Sequence, residues 1–256
     1  MNINHDLLIQ LVAGAFIGVG AGYIGSFMVL RKMSLVGDAL SHVALPGIAI
    51  ALLLNIHPFL GAFAALFIAV IGIWLLEKRT NLPSETLVGI LFTSSLAIGL
   101  LLTPGPELLE ALFGDITRIT SFDLYLTIAL TLISIFITYK ISKKIVLNII
   151  SKDLSASMGV STSKINFIFI LLVATIVALG LKVAGTLLMG SLVIIPAAAA
   201  KNISLSLKSY NLISGLFGFV TTVLGILIAL NLSLQPGPIV VLVGGCVFLI
   251  TLIYKR

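Results

Sequence analysis

The chain has 256 residues, 59% of them hydrophobic and only 9% charged, with a mean hydropathy of +1.25. Soluble globular domains run at about 45–50% apolar and about 25% charged, so this composition excludes a soluble domain and predicts a polytopic membrane protein. The formal charge is +6 and there is one cysteine, Cys246; the basic residues are scattered in ones and twos rather than gathered on a face, which argues against a nucleic-acid surface, and a lone thiol excludes an intramolecular disulfide or a thiolate metal cluster within one chain.

In chain order, nine apolar runs approach the roughly 17–25 residues needed to cross a bilayer. They are Leu7–Leu30, Leu35–Leu54, Phe59–Leu76, Glu85–Thr103, Phe122–Tyr139, Ile165–Leu181, Val183–Ala200, Leu212–Leu230 and Ile239–Tyr254. The expectation is an all-α bundle of about eight to nine transmembrane helices forming a single domain over residues 1–256. The second and seventh runs are rich in small residues and interrupted by proline, so a broken or partly re-entrant helix is open for the stretch Ala184–Ala200. No basic stretch precedes the first run and no cleavage site follows it, so it reads as a retained span.

Lysine and arginine orient the bundle. With Arg31 and Lys32 inside, strict alternation also puts Lys78, Arg79, Lys140, Lys143, Lys144, Lys152, Lys164, Lys201, Lys208, Lys255 and Arg256 inside, leaving only Arg118 and Lys182 outside. That is the asymmetry of the positive-inside rule. It predicts an external N-terminus, an internal C-terminus and a multi-pass protein of the plasma (inner) membrane.

Gly20, Gly22 and Gly25 spell a G-x-G-x-x-G, but a dinucleotide fingerprint requires a strand before it and a βαβ unit around it. Gly14, Gly18 and Gly22 instead recur every four residues, the pattern that lets membrane helices approach closely. No G-x-x-x-x-G-K-[ST] occurs, so the chain is not itself a P-loop ATPase.

The stretch Met33–Ala51 carries the chemistry. Asp38 and His42 stand four residues apart in an otherwise apolar or small-residue segment, on one helix face and one turn apart. Pro46 follows one turn later and invites a kink. Intramembrane ionisable residues usually serve function; the bland alternative is a mutually satisfied pair that only packs helices. Carboxylate and imidazole suit a divalent cation such as zinc or manganese and lack the soft sulfur that copper(I) favours. Two ligands do not close a site, but two copies about a two-fold axis would offer two aspartates and two histidines. His57, beside Pro58, reads as a loop residue, and His5 lies in the N-terminal tail. Ser41 points to a different helix face from its neighbour His42, which weakens an intramembrane hydrolase reading.

The longest internal connection, roughly 140–164, holds a short helix Leu154–Met158 that Asp153 can cap and Gly159 can end; a docking knob and an ordinary solvated loop both fit. The outer stretch with Glu107, Glu110, Asp115 and Asp123 is acidic for so apolar a chain and would attract cations, as would any solvated acidic loop.

Four segments together, GDALSHVALPGIAIALLL (37–54), LFGDI (112–116), DLSASMGV (153–160) and KVAGTLLMGSLVIIPAAAAK (182–201), resemble the membrane permease subunits of ATP-binding-cassette importers for zinc and manganese, in order and over nearly the whole chain. The resemblance implies a homodimeric permease, two cytoplasmic ATPase subunits that bind and hydrolyse ATP, an extracytoplasmic metal-binding protein, and no tightly bound cofactor. It matches Asp38 and His42 to the polar positions of the transport path. It makes Asp153, Leu154, Ser155, Met158, Gly159 and Val160 part of the ATPase-docking segment around 145–163, with Ser155 standing where alanine is usual. Gly185 and Pro196 fall in the small-residue stretch it assigns to the path wall and dimer packing. The implied function is ATP-driven import of a divalent transition metal by alternating access, zinc ahead of manganese. An ion-gradient-driven secondary cation transporter and a permease for an iron chelate are the alternatives.

Overall fold

The computed structural model describes residues 3–80, 82–102, 112–114, 116 and 119–254. Among these, ten helices and no strand are found. They are α1 (Ile3–Leu30), α2 (Ser34–Val43), α3 (Leu45–Leu53), α4 (Pro58–Thr80), α5 (Ser84–Leu102), α6 (Ser121–Ile150), α7 (Lys152–Ser157), α8 (Thr162–Ile203), α9 (Leu207–Leu232) and α10 (Pro236–Ile253). Eight stretches are long and apolar enough to cross a membrane, α2 and α3 together supplying one of them, and Leu188–Ile203 is a shorter apolar helix.

α2 and α3 are two helices because of Pro46, which lacks the N–H that would bond the His42 carbonyl and which sits in the first turn of α3. The break therefore falls just past the polar pair. α8 is interrupted more severely. At Gly185 the backbone takes φ 68° and ψ 178°, a region open essentially to glycine alone. Drawn straight, a 42-residue helix would reach about 63 Å, twice a hydrocarbon core of about 30 Å. Instead a Cβ placed on Gly180 would strike the Met189 side chain, although nine residues of straight helix separate Cα atoms by about 13.5 Å. The chain folds back at Gly185, and α8 is a hairpin of two limbs. The small-residue stretch Ala184–Ala200 is thus broken at its second residue, with Pro196 inside the returning limb.

The two ends of the bundle differ. At one, Arg31 Nη2 donates to Asn166 Oδ1 (2.7 Å), and Asn166 Nδ2 donates to Glu77 (3.0 Å) and to Ser84 Oγ (2.7 Å). This network joins the end of α1, the end of α4, and the starts of α5 and α8. The guanidinium of Arg31 also lies 4.9 Å from the Phe169 ring centroid. At the opposite end the tip of the α8 hairpin is wedged by the LFG segment. A Cβ on Gly185 would collide with backbone at Leu112, Phe113 and Gly114, and one on Gly114, itself at φ 74°, would lie 2.9 Å from the Leu181 and Lys182 carbonyls.

Gly14, Gly18 and Gly22 face α9. Added methyl groups there would meet Ile226 and Thr222, the backbone of Gly218, and the backbone of Ser214 respectively. The stripe brings the two helix backbones into direct contact, as small-xxx-small patterns do in lipid, where apolar area supplies no driving force.

α7 starts two residues earlier than expected, at Lys152 instead of Leu154. Ser151, in an extended conformation, is the N-cap and its hydroxyl accepts from Leu154 N at 3.1 Å, so Asp153 lies in the first turn instead of capping it. Its carboxylate still complements the positive end of the helix there. Gly159, at φ 72°, ends the turn, and Val160 N closes back on the Ser155 carbonyl at 2.9 Å.

Candidate functional site

The polar pair sits on α2 between the returning limb of α8 and α5. Asp38 is half-buried and His42 is 8% exposed. The Asp38 side chain lies on Gly190, where an added Cβ would come within 2.5 Å of Asp38 Cβ and 2.8 Å of its Oδ1; only a glycine leaves that seat. The His42 ring stands edge-on to Phe92 of α5, centroids 5.2 Å apart, and its Nδ1 is buried without a hydrogen-bond partner. A buried imidazole nitrogen with nothing to bond is costly. At this nitrogen the pair is not closed by a hydrogen bond.

An open cavity of about 380 Å³ approaches Asp38 from the end of the bundle that holds Arg31. Lys32, Asp38, Glu85, Gly89 and Phe92 are among its lining residues, and His42 is not. One wall thus carries the aspartate, and the histidine stands one turn beyond it. Asp38 and His42 come from one helix, and among the described residues no group of three or more His, Cys, Asp or Glu side chains converges. At this point of α2 one carboxylate and one imidazole stand a turn apart.

At the opposite end, Asp123 forms a second charged cluster. Its carboxylate accepts from Lys182 Nζ at 2.6 Å, from Thr120 N at 2.9 Å and from Thr120 Oγ1 at 2.7 Å, and His57 Nε2 lies 3.8 Å away. The capping box of α6 therefore doubles as the counter-ion of Lys182, three residues before the Gly185 break. The sequence signal was that Lys182 is one of only two cations outside under the positive-inside alternation; nothing local pointed to its partner 59 residues away. His57 is indeed in a loop, between α3 and α4. Glu107, Glu110 and Asp115 lie outside the described residues.

On α7, Leu154 is 47% and Met158 65% exposed, while Ser155 is fully buried with its hydroxyl unpartnered. The short helix thus presents two large apolar side chains outward from a fixed base.

A model of the ABC 3 transport family matches residues 5–255. The chain belongs to that family. It is 31% identical over 251 residues to the manganese import system permease protein ScaB of Streptococcus gordonii, covering 96% of this chain and 90% of the relative. It is 32% identical to the high-affinity zinc uptake system membrane protein ZnuB of Buchnera aphidicola, covering 95% and 96%. Among solved structures, PsaBC from Streptococcus pneumoniae in complex with Fab matches with a TM-score of 0.85 and 30% identity, over 96% of this chain and 91% of that one. This ABC 3 family member is a multi-pass membrane transport subunit and not the ATPase, in keeping with the absence of a P-loop from its sequence.

Proposed function

We propose that this chain is the permease of an ATP-driven importer of divalent manganese or zinc, with Asp38 and His42 as the transient cation site. The observation that carries the reading is the unpartnered, buried Nδ1 of His42 one turn from Asp38 in a membrane-spanning segment. Relatives named for manganese and for zinc support the substrate class. With more than one of them named for manganese import, manganese takes first place here, ahead of the zinc that aspartate and histidine alone suggest. Two copies about a two-fold axis would supply two aspartates and two histidines. A binding protein would deliver the ion at the Lys182–Asp123 end, and ATPases docked on Asp153–Val160 would drive alternating access, releasing the ion through the cavity beside Asp38.

The test is uptake by proteoliposomes holding the permease with its ATPase and binding protein, offered Mn²⁺ or Zn²⁺ with and without ATP. Uptake should require ATP, and Asp38→Ala and His42→Ala should each abolish it while expression and dimer assembly persist. Loss of assembly in those variants would return the pair to a packing role. Uptake indifferent to ATP would favour the gradient-driven transporter instead.

A further inference from the structure

Ser41 stands between Asp38 and His42 and is fully buried. Its Oγ lies 2.6 Å from the carbonyl of Asp38, one turn back on α2, and 2.6 Å from the carbonyl of Thr186, the first residue after the Gly185 break in α8. A serine hydroxyl carries one proton, so it serves one of these carbonyls at a time. Serving Asp38 keeps the bond inside α2. Serving Thr186 ties the turn that bears the polar pair to the tip of the α8 hairpin. The hydroxyl of Thr186 is itself buried without a partner, so it makes no competing link. One turn further along the same limb, Gly190 seats Asp38. α2 is therefore pinned to the returning limb at two points, Ser41 on Thr186 and Asp38 on Gly190.

We infer that Ser41 is a positioning residue of the transport reaction. Its hydroxyl holds the Asp38–His42 turn in register with the hairpin tip, and by exchanging between its two acceptors it lets that contact be made and released without stranding a buried donor. The same tip carries Lys182 at the opposite end of the bundle from the cavity, so the contact lies within the polar pair, on the far side of Asp38 from the cavity. The inference rests on the importer reading of the same pair.

The experiment measures initial rates of ATP-dependent Mn²⁺ uptake against Mn²⁺ concentration in proteoliposomes holding the permease with its ATPase and binding protein, for the wild type, Ser41→Ala, Ser41→Thr and Asp38→Ala. ATP hydrolysis is measured in parallel. Because the binding protein sets the concentration dependence of capture, losing one buried hydrogen bond that orders the site should lower the maximal uptake rate per assembled permease about three- to tenfold, and the Mn²⁺ carried per ATP with it, at a nearly unchanged KM. Ser41→Thr, which keeps the hydroxyl, should restore both. A wild-type maximal rate in Ser41→Ala overturns the inference, as does a lowered rate with an unchanged Mn²⁺-to-ATP ratio or a Ser41→Thr that restores neither. If Ser41→Ala does not assemble, Ser41→Cys, close in size but a poor donor, is read by the same criteria. Asp38→Ala separates the two levels: if it transports like the wild type, the cation-site reading itself falls, and Ser41 with it.

Discussion

Gly190 shows how finely the polar pair is seated. Its missing side chain is the space that Asp38 occupies, so Gly190→Ala should push the carboxylate off the α8 limb. We expect Mn²⁺ or Zn²⁺ uptake to fall at least tenfold while the amount of assembled permease stays near wild type; unchanged uptake would mean that Asp38 has room to move without consequence. Gly185 is constrained differently. At φ 68° and ψ 178°, any other residue costs on the order of 1–3 kcal/mol in backbone strain, and its Cβ would also strike the Leu112–Gly114 backbone. Gly185→Ala should therefore lower the thermal midpoint and the yield of folded protein, measured by fluorescence-detected size exclusion after heating. The asymmetry between the two glycines is one of space against conformation. Their presence in a small-residue stretch was visible in the sequence; which of them makes room for a carboxylate and which turns the chain was not, because each answer depends on a partner more than 70 residues away.

At the scale of elements, α7 is the clearest prediction. Six residues cannot sustain a helix in isolation, and this one persists through the Ser151 cap, the Gly159 stop and the buried Ser155 base. Its exposed Leu154 and Met158 are the contacts expected to meet an ATPase. Leu154→Asp together with Met158→Asp should abolish co-purification of the ATPase and leave the permease monodisperse in detergent; retained co-purification would move the docking surface elsewhere. The α1–α9 pair illustrates the other kind of element, whose partner was half legible. The four-residue glycine period announced a close helix–helix contact, yet the facing backbone at Ser214 and Gly218 became known only from the fold. The N-terminus of α7 lies two residues before the one the sequence suggests, because aspartate and serine both cap helices and only the extended backbone of Ser151 decides between them.

For the whole molecule, the positive-inside pattern and the two unlike ends of the bundle make one topological prediction. With Cys246 replaced by serine, Ser233→Cys at the α9–α10 turn should react with a membrane-impermeant maleimide in intact cells. Ser206→Cys at the α8–α9 turn should react only after permeabilisation. The reverse pattern would invert the bundle and place the Lys182–Asp123 pair on the inside.

Composition and periodicity were enough for the membrane as solvent, the helical content, the approximate spans and the Asp38–His42 spacing. Each follows from local composition or from the 3.6-residue period, and a bilayer forces every spanning segment to satisfy its own backbone. It took the folded bundle to reveal that α8 is a hairpin, that Thr186 meets Ser41 across 145 residues, that Lys182 is neutralised by Asp123, and that the His42 nitrogen is buried without a hydrogen-bond partner. Hydropathy places a helix in the membrane but says nothing of which face turns to which neighbour. That choice is made by close packing and hydrogen bonds between distant segments, and these exist only once the bundle has formed.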